Sequence, residues 1–197
     1  MAAFADYLDL KVAVAEHVGN RNLSDVMDRF TTMAEAWLNQ KLRAREQMTD
    51  ATITFTNGVA PLPADFLEMI SLFDPQGCAL VAGSIADTKW PNSQYRRYAI
   101  DGSNVLMYGL NGDSRNVSYY AALPTLTTSS ATTNWLLTKY PHVYLYAVGM
   151  EAAKFLRDTN LAQLTSTLLT TALSDMKVDD DRARWSNATV RQAMVMP

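Results

Sequence analysis

The stretch Thr52-Ile-Thr-Phe-Thr56, followed at once by Asn57-Gly58, decides the architecture. Polar and apolar residues alternate there with a period of two. Asn-Gly then supplies two residues that tolerate positive φ, the strongest short-range hairpin signal. Everything upstream is helical in pattern. Residues 24–46 carry Val26, Phe30, Met33, Trp37 and Leu38 on one side and Asp28, Glu35, Asn39, Arg43 and Glu46 on another. That spacing predicts a helix with one solvated polar stripe. Asp25 near its start and Lys41, Arg43 and Arg45 near its end suit the helix dipole, with Asn22 and Ser24 as candidate caps. A shorter helix is predicted over 4–18, where Leu8, Val12 and Ala15 recur beside Leu10, Val14 and Val18 until Gly19-Asn20 stops it.

Downstream of Asn57-Gly58 the extended pattern continues. Pro61 and Pro63 confine the return strand to an edge or a short piece. Leu67–Phe73 is a further strand candidate, closed by Asp74-Pro75-Gln76-Gly77, and residues 78–94 carry no clear period. Tyr98–Ile100 and Val105–Tyr108 flank Asp101-Gly102-Ser103-Asn104 as a second hairpin, and Asn111-Gly112-Asp113 turns into a strand over 116–122. Pro124 ends the sheet, and 125–133 reads as a loop. Helical signals return at Asn134-Trp-Leu-Leu. Pro141 suits the first position of a helix reaching about 158 that is apolar on several sides, hence central and buried. Leu161, Leu164, Leu168, Ala172 and Met176 predict a last long helix.

The order is α-α, then β, then α-α. This is a mainly α, α+β fold: a bundle of four to five helices with a small antiparallel β element inserted at about 52–122. The expected organisation is one domain over 1–181, with helices at 4–18, 24–46, 134–158 and 160–181, followed by an extended C-terminal arm over 182–197.

Composition narrows the function. The charged fraction is 19%, below the roughly 25% of average globular domains, which suits a surface that meets other protein. A net charge of −3 excludes a generally basic nucleic-acid binder. The charge is uneven: residues 182–197 hold three arginines and no acid, so the rest of the chain carries −6. The basic, Met-containing tail on an acidic body suggests a docking arm, against the plainer and commoner reading of a frayed chain end. No basic n-region opens the chain, and no apolar run is long enough to span a membrane. One cysteine, Cys78, excludes an intramolecular disulfide framework, and it reads as a small hydrophobe in a turn.

The chemical motifs are weak. Asp179-Asp180-Asp181 is the densest acidic cluster, but consecutive helical residues point about 100° apart and cannot converge on one cation, so a solvated face is the simpler reading. Asp101-x-Ser103-Asn104 lacks the rest of a calcium loop and reads as a turn. His17 and His142 read as structural, without a nucleophile motif beside them. Phosphate-cradling glycine patterns are absent. Arg96-Arg97 between Tyr95 and Tyr98 is a short basic-aromatic patch that could touch nucleic acid, or simply pair across strands. No catalytic residue, cofactor site or metal site emerges.

Three segments in fixed order carry a resemblance. They are Leu23-Ser-Asp-Val-Met-Asp-Arg-Phe-Thr-Thr-Met-Ala-Glu-Ala-Trp-Leu-Asn-Gln-Lys-Leu-Arg-Ala-Arg45, followed by Leu62-Pro-Ala-Asp-Phe-Leu-Glu68; Tyr119-Tyr-Ala-Ala-Leu-Pro124; and Thr133-Asn-Trp-Leu-Leu137 through Tyr140-Pro141, Tyr144-Leu-Tyr146 and Glu151-Ala-Ala153 to Asp181-Arg-Ala-Arg-Trp185. Together they resemble the head-to-tail adaptor proteins of tailed bacteriophages over about residues 20–187. The resemblance implies a non-enzymatic structural protein of the virion neck, assembled in the host cytoplasm. It implies a dodecameric ring of identical copies, portal protein on one side, tail or nozzle proteins on the other, and genomic DNA passing without sequence-specific binding. It implies no cofactor and no membrane. The arm would bind portal through Arg182, Arg184, Trp185, Val190, Arg191, Met194 and Met196. A tail-completion or stopper protein of the same neck is the alternative; a small hydrolase using His142 and a DNA-packaging factor using Arg96 and Arg97 are more distant ones.

Overall fold

A computed structural model describes residues 3–19, 22–89, 97–129 and 131–185. The described chain is α+β, with five helices and two small sheets, and divides into two compact units, 1–45 with 123–197, and 46–122. Helix α1 spans Tyr7–His17, α2 Ser24–Lys41, α3 Trp135–Lys139, α4 Pro141–Phe155 and α5 Thr159–Trp185. Among the described residues, no helix is long and apolar enough to cross a membrane.

In the helical unit α4 is central, as its all-round apolarity predicts. It buries Val143, Tyr144, Ala147, Val148, Ala152 and Ala153 and packs against α1, α2, α3 and α5. Pro141 starts it, where a missing N–H costs nothing. Gly149 lets α1 come close: a Cβ there would lie 3.1 Å from His17 Cδ2. Asn134 caps α3 by accepting the Leu137 N–H at 3.0 Å. Asp6 caps α1, accepting the Asp9 N–H at 3.0 Å.

Two readings of these helices are corrected. α2 stops at Lys41, not at 46. Leu42 adopts extended backbone, and Arg45–Gln47 form a separate 3-10 turn. The polar stripe of α2 is solvated only in part: Asp28 is exposed, Asn39 is half-buried and Glu35 is buried. Glu35 is 3% exposed and accepts from the Leu126 N–H at 2.9 Å and the Tyr144 hydroxyl at 3.0 Å. Asn39 accepts from the Leu123 N–H at 2.8 Å. These side chains satisfy the backbone where the chain re-enters the helical unit, since a buried N–H must find an acceptor. Glu35 and Asn39 thus form an internal polar seam. Correspondingly, Met33, expected on the buried side, is 49% exposed.

The β unit contains β1 (Met48–Thr54), β2 (Val59–Pro61), β3 (Phe66–Leu72), β4 (Val81–Ala82), β5 (Arg97–Asp101), β6 (Asn104–Leu106) and β7 (Ser114–Ala121). The sheets have orders β1-β7-β3 and β2-β6-β5-β4, all antiparallel except β4 with β5. The Asn57-Gly58 turn forms as expected, with φ of 52° and 81°. Beyond the single bridge Thr56 to Val59, however, its two strands part company. β1 pairs with β7 from Met48↔Tyr120 to Thr54↔Ser114, while β2 pairs with β6. The turn therefore passes the chain from one sheet to the other. Glycine is needed at 58 twice over, because a Cβ there would also meet the Met107 carbonyl oxygen at 3.0 Å.

Alternation along β7 explains the core of this unit. Arg115, Val117 and Tyr119 are buried, the latter two beside Ile53, Phe55, Leu72 and Val105. The outward residues pair across strands: Thr52 with Asn116, Thr54 with Ser114, and Asp50 with Ser118. Tyr119 donates to Asp65 Oδ1 at 2.9 Å, and its hydroxyl pKa is pushed up to about 12, chiefly by burial. The hairpin at Asp101–Asn104 closes as expected, with Gly102 at φ 57°. Cys78 is exposed and sits in a turn, as read, whose backbone is held by Asp74.

Candidate functional site

The C-terminal half of α5 concentrates the residues that the sequence marks for docking. Asp158 caps the helix by accepting the Leu161 N–H at 3.0 Å. Thr165, Leu169, Met176 and Asp180 form its buried line, at spacings of four and seven or close to it. The helix does not end at 181 but runs through Trp185. Arg182, Arg184 and Trp185 are therefore helical, and two cations occupy the last turn, where the dipole favours them.

These three residues behave differently. Arg184 is turned back on its own unit: its Nε lies 2.7 Å from Asp180 Oδ2, and its Nη2 donates to the Arg43 carbonyl at 3.0 Å. Asp180 accepts the Arg45 N–H at 3.1 Å and is 7% exposed. The pair fastens the end of α5 onto residues 43–45, the segment that leaves α2. Arg182 points to solvent, and Trp185 is 69% exposed. Val190, Arg191, Met194 and Met196 lie outside the described residues.

Beside the fastening runs an open groove of about 510 Å³ between residues 41–44 and one side of α5, with Leu42, Leu173 and Met176 on its floor and Lys41, Lys177 and Asp181 among its rim groups. The three consecutive aspartates separate, as helical geometry requires. Asp180 takes the arginine, Asp179 accepts the Tyr140 hydroxyl at 2.7 Å, and Asp181 is exposed. The solvated-face reading therefore holds for Asp179 and Asp181, both exposed, and fails for Asp180, which is buried. Sequence reasoning missed Asp180, although Met176-x-x-x-Asp180-x-x-x-Arg184 places an ion pair in the buried register of the helix.

The remaining candidates are dispersed. His142 is exposed in the first turn of α4, stacked on Tyr146 at 6.1 Å between ring centroids. His17 lies in the last turn of α1, 3.4 Å from Thr165 Oγ1. Arg97 is ion-paired with Asp87 at 3.4 Å, and Arg96 lies outside the described residues. Glu35, which belongs to the internal seam, is a buried acid. Its burial raises its pKa against the pull of the Leu126 and Tyr144 hydrogen bonds. The strongest groups in the described chain thus hold helices and connections in place.

The described chain is an α+β protein. Its sequence matches the family model described as SU10 adaptor protein over residues 5–193, and the chain belongs to that family of phage head-to-tail adaptors. A comparison with curated proteins found no match.

Proposed function

We propose that this adaptor forms a closed ring of twelve copies in the virion neck, beneath the portal and above the tail proteins, continuing the channel for genomic DNA. Membership of the adaptor family carries this reading. A ring needs two different complementary faces on each copy, a heterologous contact closed by rotation. The sparse charge suits protein-facing surfaces. The acidic body suits a channel that must let DNA slide, because lysine and arginine contacts to phosphate supply most non-specific affinity. The role is structural rather than catalytic.

The basic C-terminal segment is the portal-binding element. Trp185 and Arg182 present an aromatic and a cation at the exposed end of a helix that Asp180 and Arg184 hold in place, and Val190, Arg191, Met194 and Met196 follow. Deletion of 186–197, and separately Trp185→Ala, should abolish or strongly weaken capture by purified portal while thermal unfolding stays unchanged. Capture at full affinity by both variants would remove the arm from this role. Imaging the product of mixing adaptor with portal tests the ring itself.

A further inference from the structure

We infer that neighbouring copies meet through two specific strips on the helical unit: the outer face of α1 on one copy and the Met33–Phe155 patch on the next. This rests on the ring reading above and names the contact that would build it.

Both strips are apolar and uncovered. On α1, Tyr7, Leu10, Val14 and Val18 face the core, so Leu8 and Val12, one turn apart, face out at 53% and 57% exposure. On the other side, Met33 is 49% exposed and Phe155 57% exposed, with the Phe155 ring tilted against Phe30 at 5.3 Å between centroids. Val26 and Trp37, at helical spacing from Met33, are half-buried beside them.

The rims are opposite in charge. Asp9 and Glu16 flank Leu8 and Val12. The one cation on that helix, Lys11, is turned away: its Nζ sits 2.5 Å from Asp28 and 4.6 Å over the Tyr7 ring. The α1 strip is therefore apolar with an acidic edge. Around the second patch stand Arg29 and Arg157, both exposed, with exposed Asp25 one turn before Arg29 at the far end of the patch; Lys154 is engaged by Glu151 at 2.7 Å, and Asp158 caps α5. Arg157 is itself informative. It terminates α4 in the left-handed conformation, φ 57°, a position that glycine fills without strain. An arginine kept there places a cation next to Phe155.

The geometry suits a head-to-tail contact. Tyr7 of α1 bonds Asp28 at 2.7 Å and lies 3.0 Å from Thr31, on one side of α2. Helical spacing puts Val26, Met33 and Trp37 on the opposite side of that helix. The two strips thus lie on opposite flanks of the same unit, so one copy can offer each to a different neighbour, and complementary charge sets the direction.

The test uses the full chain with Cys78→Ser, carrying either Val12→Cys or Met33→Cys, concentrated alone and on purified portal. A short bismaleimide should link chains in a mixture of the two proteins and lose that product in either protein alone. Arg29→Glu in the Met33→Cys protein should reduce the linked product, and Glu16→Arg in the Val12→Cys protein should restore it. Equal linking within single-variant samples, or no linking while an amine cross-linker still yields species beyond dimer from the unaltered chain, overturns this contact and leaves the ring standing. An unaltered chain that yields no species beyond monomer even on portal overturns both.

Discussion

Tyr144 on α4 donates its hydroxyl to Glu35 Oε1 on α2 at 3.0 Å, both side chains buried and 109 residues apart in sequence. The same carboxylate accepts the Leu126 N–H, and Asn134 Nδ2 reaches the Tyr144 oxygen at 2.7 Å and the Pro124 carbonyl at 2.9 Å. Four elements of the helical unit therefore converge on one acid.

Burial raises the Glu35 pKa above its ordinary 4.5. The folded state then holds this proton more tightly than the unfolded chain does. The stability it contributes is complete below 4.5 and is lost as pH rises through the raised folded value. Urea unfolding across that range should show stability falling with pH, and Glu35→Gln should flatten the fall. Glu35→Leu should instead cost about 1–3 kcal/mol for each group left without an acceptor, the Leu126 amide and the Tyr144 hydroxyl.

Gly149 should resist enlargement. Alanine normally gains about 1 kcal/mol over glycine inside a helix. Here the added methyl meets the His17 ring at 3.1 Å, and overpacking costs about 1–3 kcal/mol. Gly149→Ala should destabilise, and adding His17→Ala should recover much of the loss. Additive effects of the two changes in thermal unfolding would show that the ring and the glycine do not press on one another.

The Asp180–Arg184 pair should govern local opening at the end of α5. Asp180→Ala removes a charged acceptor from the Arg45 amide and from the Arg184 Nε. A hydrogen bond to a charged group is worth about 1.5–3 kcal/mol. Hydrogen exchange at the Arg45 amide should therefore accelerate by roughly tenfold or more, while amides in the middle of α4 keep their protection.

Cys78 should react with a thiol reagent in the native protein, at one equivalent per chain and without denaturant, because it is exposed. Labelling that requires urea would contradict the turn at Asp74–Cys78.

The element order was legible because each segment declares its period: Leu161, Leu168, Ala172 and Met176 in α5, and alternation in β1 and β7. Pairing was not. Asn57-Gly58 fixes a local turn, but burial of Ile53, Phe55 and Val117 chooses β7 over β2 as the partner of β1. The end of α2 was hidden for a similar reason. Arg43 and Arg45 suit a helix terminus, yet residues 43–45 are held by Asp180 and Arg184, about 140 positions away, and no local pattern reports that. Glu35 and Asp180 were misread because a charge in an amphipathic pattern reads as solvated; only the tertiary structure supplies the amides, hydroxyl and guanidinium that let each be buried. Of the docking residues, Trp185 and Arg182 are exposed, whereas the sequence could not separate Arg184, whose partner lies one turn back.

The pairing of β1 with β7 starts at Met48↔Tyr120, and Gln47 Nε2 donates to the Ala121 carbonyl at 3.1 Å. The β unit therefore begins and ends on two adjacent, paired strands. Such a module can be trimmed, enlarged or exchanged between those two strands without rethreading the helices, which gives evolution a replaceable part.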